Sequence, residues 1–399
     1  MAARNQSKLR QTGIYAHIIG WGMAVPEIVM TNHDMAAIVD TNDEWIRSRT
    51  GIRERRIASE KESTTTLGYR AAQRALEVAD VLPAEIDLII VATSTPEHVF
   101  PSTASLIQDW LGARKAGAFD LSAACSGFVY GMDMATNAIR SGSIETALVI
   151  GAETMSRVLD WQDRSTCILF GDGAGAVVLR AGEEEGGVLS SVLRSDGAGA
   201  ELLAIPTANV RELNGHKVQK MFMVGSEVFK FATRVVDESI REAIDIAGIT
   251  LSDIDLIVPH QANQRIIQSA ARKLKIDETM FMSNVESYGN TSAASIPIAL
   301  CEAIERGRVH EDDYLVFVGF GGGLSWAASV VKWGVPKPSE QQGTRLNRQR
   351  RQLRYSLARW RNRWLNLQRS ISRFFARLMP SRGRIPRLQA KIEDNDNIE

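Results

Sequence analysis

The chain has 399 residues, too many for one hydrophobic core and enough for two sizeable lobes. With 44% hydrophobic and 24% charged residues its composition is that of an ordinary globular protein, which excludes disordered and fibrous classes. The formal charge is zero only as a sum. Residues 340–399 carry fifteen basic and five acidic side chains, the remainder 32 and 42, so an acidic body bears a basic tail.

The three cysteines, Cys125, Cys167 and Cys301, form no CxxC, which argues against a disulfide framework or a cysteine-rich zinc site. The opening MAARNQSKLRQTG has no apolar h-region, so the sequence reads as cytosolic rather than secreted. No histidine or acidic pair has metal-ligand spacing, and no metal is expected.

In chain order, the first strong pattern is residues 75–90, ALEVADVLPAEIDLII, a helix end, a polar turn and a buried strand. It aligns without a gap on residues 243–258, AIDIAGITLSDIDLIV, with six identities in sixteen positions. The same offset of 168 carries SAACSGFVYGM from Ser122 onto NTSAASIPIAL from Asn290, and TALVIGAE (146–153) onto YLVFVGFGG (314–322). The body is therefore read as two related α/β halves, residues 13–180 and 181–335, each with a buried sheet. A cleft lined by equivalent turns of both halves is the natural site.

Cys125 sits in AFDLSAACSGF, between a predicted strand and helix, among small neighbours that let a substrate approach the sulfur. A helix N-terminus favours thiolate, which points to a nucleophile, although most cysteines simply pack. Cys167 and Cys301 lie in apolar stretches and are read as structural. The run GDGAGAVVL (171–179) leads into a strand-like segment rather than a helix, so it is read as a glycine turn and not a dinucleotide site. His260 ends the second repeat's strand in IDLIVPHQANQRI, where ligand-facing residues of α/β sheets gather. Asn290, in SYGNTSAAS, begins the turn equivalent to that of Cys125; an ordinary helix cap is the competing explanation. The uncharged run Tyr314–Val331 holds Gly319 and Gly321–Gly323 and reads as strand, turn, strand rather than a membrane helix.

Residues 336–399 are a linker, PKPSEQQG, and a basic amphipathic helix. Leu353, Leu357, Trp360, Trp364, Leu367, Ile371, Phe374 and Leu378 alternate spacings of four and three, an apolar stripe on one face. No acid occurs between Arg345 and Met379, which disfavours a homotypic coiled coil. Two readings stand: a helix packed on the acidic body, or peripheral contact of residues 345–379 with an anionic membrane surface. Nucleic acid is not expected as a partner.

From about Gly13 to Trp333 the chain resembles the β-ketoacyl-[acyl-carrier-protein] synthase III family. The motifs that carry the resemblance are TNDEWIRSRTGIRERRIA, DLSAACSGF, FGDGAGA, VPHQANQRI, YGNTSAAS and GFGGGLSW. The resemblance implies a thiolase-like fold and an initiating condensing enzyme that joins an acyl-CoA primer to malonyl-acyl-carrier protein, without a cofactor. It implies catalysis by Cys125, His260 and Asn290, with an oxyanion hole from the backbone of Cys125 and Gly322. It further implies coenzyme A contacts at Thr41, Trp45, Arg49, Arg164 and Asn263. The segment Gln261, Ala262, Asn263, Gln264, Arg265 would meet the acidic carrier protein, Arg265 foremost. Phe100 would close the acyl pocket across a homodimer interface. The tail after Trp333 departs from the family pattern. Related readings are a Cys-His-Asn enzyme extending CoA-linked units into a polyketide, and a non-catalytic acyl-binding scaffold.

Overall fold

The computed structural model describes residues 13–206, 220–334 and 345–378. The expected linker at 336–343 lies outside the described residues, as do the side chains of Leu367, Phe374 and Leu378. The first half runs β1 (Tyr15–Ala24), a hairpin of β2 (Ile28–Thr31) and β3 (Glu54–Ile57) that encloses α1 (Asp43–Thr50), then α2 (Thr64–Val78) and β4 (Leu88–Ala92). It continues with α3 (Thr103–Leu111), β5 (Gly117–Leu121), α4 (Gly127–Arg140), β6 (Thr146–Thr154) and β7 (Asp172–Gly182). The second half runs β8 (Gly187–Ser195), the short pair β9 (Leu203–Ala204) and β10 (Phe222–Met223), α5 (Gly225–Ala247) and β11 (Leu256–Pro259). After these come α6 (Gln264–Leu274), α7 (Ser295–Glu305), β12 (Tyr314–Gly321), β13 (Ser325–Lys332) and a last helix, α8 (Arg345–Leu378).

The two sheets have the same order. The first is β1-β7-β6-β4-β5, the second β8-β13-β12-β11. In the second, a single parallel bridge from Ile257 to Phe281 stands where a fifth strand would lie. β4 starts at Leu88 and β11 at Leu256, β6 at Thr146 and β12 at Tyr314, so the offset of 168 read from the sequence holds in space. Even the backbone repeats: Ala124 and Ser292, one offset apart, both adopt positive φ, 46° and 50°.

Why both sheets are apolar throughout follows from the layering. Alternate strand residues point to opposite faces, and here both faces are covered. Ile90, Val149, Leu256, Val258, Leu315 and Phe317 face a central layer formed by α4 and α7, with Phe128, Met132, Ile296 and Leu300. Their neighbours Ile89, Val91, Leu148 and Ile150 face α2 and α3, whereas Ile257, Val316 and Val318 face α5 and α6. The result is five layers, helix–sheet–helix–sheet–helix, a duplicated thiolase-like fold. β12 and β13 are the expected strand–turn–strand, paired antiparallel from Tyr314↔Lys332 to Gly321↔Ser325.

GDGAGA is a correction. It lies inside β7 rather than in a turn, and its glycines answer to crowding. A Cβ on Gly175 would come within 2.6 Å of Pro297, and one on Gly173 within 2.8 Å of Ile298, both on α7.

The helix predicted for the tail is present, but it docks by an unexpected face. Tyr355, 2% exposed, joins the core between α2 and α3, with its ring 6.3 Å from that of Tyr69. Ala358 lies over Gly112. Arg348 pairs with Glu77, Arg351 with Asp80 and Arg361 with Asp109. No helix among the described residues is long and apolar enough to cross a membrane.

Candidate active site

Cys125 lies in a 3-10 turn, Ala124–Ser126, that leads straight into α4. Its counterpart is the turn Ser292–Ala294 leading into α7, and this second turn gathers the site. Cys125 Sγ lies 3.5 Å from Ser292 Oγ, and His260 Nδ1 lies 2.6 Å from Ser295 Oγ. Asn290 enters the same turn, its Oδ1 accepting a hydrogen bond from Ser292 N at 2.8 Å. Thiol, imidazole and amide thus converge on one helical turn, and Ser292 and Ser295 are the residues that bring them there.

The Asn290 contact fixes its amide. With Oδ1 occupied, Nδ2 has no partner among the described residues and remains a donor for a ligand. The imidazole is fixed by similar reasoning. Ser295 Oγ accepts from Gln261 N, and when it gives its own proton to His260 Nδ1 the ring proton sits on Nε2. Burial holds the imidazole neutral, its pKa lowered from 6.5 to about 3. The ring is backed by Phe320, edge-on at 5.0 Å.

Cys125 departs from expectation. Burial is the largest influence and pushes its thiol from 9.0 up to about 12, despite the hydrogen bond to Ser292 and with the repulsion of Glu153 adding to the rise. Cys125 therefore rests as a thiol, not the thiolate expected from the helix end. Glu153, fully buried at the end of β6, accepts hydrogen bonds from Thr95 Oγ1 (2.5 Å), Ser292 Oγ (2.9 Å) and Ser94 N (3.1 Å). Desolvation raises its pKa in spite of them. Sequence reasoning missed Ser292, Ser295 and Glu153. The acid closing the otherwise apolar TALVIGAE and the two serines of NTSAAS were the available signals.

The glycine segment that ends β12 crosses the cysteine turn. A Cβ on Gly321 would stand 2.8 Å from Cys125 N, which only glycine avoids at that approach. Gly322 lines the same cavity as Cys125, and Ser325 Oγ ties it down by donor range to Ala123 O, Gly322 O and Ser126 Oγ. The cavity has a volume of about 660 Å³, with Thr93, Leu121, Met155, Phe170 and Leu203 on its walls. His98 and Val99 also line it, while Phe100 is 85% exposed and does not.

A second group of predicted residues assembles on α1 and its neighbours. The guanidinium of Arg164 lies 5.1 Å from the centre of the Trp45 ring and that of Arg49 5.8 Å, one indole flanked by two cations. Arg164 also donates to Asp40 O, beside Thr41, whose buried hydroxyl has no partner among the described residues. Asn263 Nδ2 donates to Arg49 O. The segment 261–265 is divided. Gln261 is buried, bonded to Pro259 O, Met282 O and Asn284 N, so its side chain faces inward and not toward a protein partner. Gln264 is held by Glu278 and Ser283. Arg265 is exposed, its guanidinium 5.3 Å from the Phe229 ring centre. Among the described residues no cluster of histidine, cysteine and acid could hold a metal ion.

A duplicated five-layer fold with a cysteine and an asparagine at its pseudo-symmetric turns and a histidine at a strand end defines a condensing enzyme of the thiolase-like class. Residues 119–197 match the family model described as 3-oxoacyl-[acyl-carrier-protein (ACP)] synthase III, and residues 244–333 match that of its C-terminal part. The β-ketoacyl-[acyl-carrier-protein] synthase III of Desulfitobacterium hafniense is 52% identical over 321 residues, covering 79% of this chain and 97% of that protein. The 3-oxoacyl-[acyl-carrier-protein] synthase III structure from Aquifex aeolicus superposes with a TM-score of 0.75 at 48% identity, covering 80% of this chain and 100% of the other. The priming β-ketosynthase of the R1128 polyketide pathway gives 0.76 at 38%, covering 81% and 97%. The chain belongs to the β-ketoacyl-[acyl-carrier-protein] synthase III family.

Proposed function

We propose that the protein condenses an acyl-CoA primer with malonyl-acyl-carrier protein, releasing carbon dioxide, through an acyl-Cys125 intermediate. Cys125 attacks the thioester carbonyl, and its proton leaves with the departing coenzyme A thiol. The oxyanion of that step accepts hydrogen bonds from the backbone N–H groups of Cys125 and Gly322. Malonyl-carrier protein then loses carbon dioxide, and the resulting enolate oxygen accepts from His260 Nε2–H and Asn290 Nδ2–H. Both donors are neutral, so neither surrenders charge as the enolate forms. Its carbon attacks acyl-Cys125, the C–S bond breaks, and the sulfur takes a proton from water, restoring the thiol.

The observation that carries this reading is the single turn, Asn290–Ser295, to which thiol, imidazole and amide are all tied. Trp45 between Arg49 and Arg164 suits the adenine and phosphates of coenzyme A, with Thr41 and Asn263 along the pantetheine. Arg265, exposed and uncommitted to an acid, suits the acidic carrier. The likeness to the R1128 priming enzyme supports a second reading, with the same chemistry feeding polyketide synthesis.

The test separates the two half-reactions. Cys125→Ala abolishes both. His260→Ala and Asn290→Ala acylate Cys125 from acyl-CoA at near-native rate, read by intact mass, and lose about 10²–10³ in condensation. Equal losses in both steps overturn the division of roles.

A further inference from the structure

The geometry of α8 points to a surface for anionic phospholipid bilayers, and we propose that the protein binds such a membrane through the outward face of this helix. Successive residues of an α-helix turn by about 100°, so Arg351 and Leu353 lie on opposite sides. The docked set, Arg348, Arg351, Tyr355 and Ala358, faces α2 and α3. The set one half-turn away is apolar and uncovered: Leu353 is 61% exposed, Leu357 57%, Trp360 68%, Trp364 49% and Ile371 47%. An ordinary surface helix buries its apolar stripe and shows its charges to water. Here the body takes the polar side, through three ion pairs and one tyrosine, and holds the indoles outward.

What covers that face is argued from charge. α8 contains eleven arginines and no acid. Arg348, Arg351 and Arg361 are matched by acids of the body, but Arg350 and Arg354 are exposed and have no acidic partner among the described residues. With Arg114, Lys115 and Arg361 they line a groove of about 680 Å³ together with the apolar Leu82, Leu353, Leu357 and Ala358. Lys115 is paired with Asp87, and no acid lines the groove. Apolar and cationic residues lining one groove, with two exposed indoles on the same helix, suit an interface of acyl chains and phosphate headgroups. A second copy docking stripe to stripe would bring two arginine sets together with no acid between them. None of the residues lining the groove lines the cavity at Cys125, so the membrane-bound enzyme keeps its site open.

The experiment is vesicle flotation of the full-length chain at 50 and 500 mM salt. Phosphatidylcholine vesicles, with and without 30% phosphatidylglycerol, are compared. The chain floats with the anionic vesicles at low salt, at least tenfold more than with neutral ones, and high salt reduces the difference. Free glycerol phosphate at millimolar concentration does not compete if the bilayer is the ligand; full competition would assign the groove to a soluble phosphate and overturn the membrane. Trp360→Glu with Trp364→Glu lowers flotation at least tenfold, with acyl transfer to Cys125 unchanged. Absence of flotation at low salt, or flotation indifferent to the double substitution, overturns the proposal. So does a halving of the protein's mass in light scattering caused by that substitution, which would give the stripe to a second copy.

Discussion

Burial acts on Cys125 and His260 in opposite directions and leaves both neutral. The helix-end field beside Cys125 contributes at most about 2 kcal/mol. That is equivalent to about one and a half pH units, less than the rise from 9.0 to about 12. The thiol proton is instead held in a chain, Cys125 to Ser292 to Glu153, because Ser292 spends its own hydrogen on the carboxylate. Acylation of Cys125 should therefore quicken with pH through 9 without a plateau near 7, and Ser292→Ala should slow it; both are read by single-turnover acyl transfer. Condensation from preformed acyl-enzyme behaves differently. Its sulfur no longer titrates, and the folded His260 takes up a proton only near pH 3. That step should be flat between pH 5.5 and 8, and an acid limb near 6.5 would sink the neutral-imidazole role. For stability the sign follows from the same lowered value. The unfolded histidine protonates below 6.5 and the folded one does not, so this contribution is whole above 6.5 and is lost as pH falls toward 3.

At the scale of elements, α8 is where sequence and structure part. Its helical period was legible, because leucines and tryptophans at spacings of three and four need no tertiary information. Its docked face was not. That face is chosen by Glu77 and Asp80 at the end of α2 and Asp109 on α3, and by the space beside Tyr69 that Tyr355 fills. Partners brought in by tertiary folding leave no period in the tail. Ser292 and Ser295 escaped notice similarly, since small residues in a helix-entry turn look like packing until Cys125 and His260 arrive beside them. The duplicated sheets were legible because both copies kept the same length between strands. Removing the Tyr355 ring should cost about 3 kcal/mol of docking, roughly a hundredfold in the docked population. Tyr355→Ala should thus speed tryptic cleavage within residues 345–378 by tenfold or more, while residues 13–334 resist and acyl transfer is unchanged. Cleavage at the native rate would mean that the ion pairs alone hold the helix.

At the scale of the whole molecule, the first sheet ends on an open edge. β5 pairs only with β4, and Phe119 on it is partly exposed. Val99 and Phe100, the most exposed large apolar residues of the body, project from the neighbouring loop. An uncovered edge strand beside exposed apolar side chains is a surface for a second chain. The cavity at Cys125 is lined by His98 and Val99 but not by its own Phe100, so the acyl-pocket role that the family resemblance implies for Phe100 requires a second copy seated on this edge. Phe100→Ala should then admit longer and branched acyl-CoA primers without altering alkylation of Cys125. The decisive form is a mixed dimer of Phe100→Ala with Cys125→Ala chains. Its one reactive cysteine belongs to the chain lacking the ring, and the intact Phe100 belongs to the other. Contribution across the interface predicts native primer selectivity in that mixed dimer; contribution within one chain predicts the broadened selectivity of the Phe100→Ala homodimer. A sedimentation mass of one chain at assay concentration would remove the arrangement altogether.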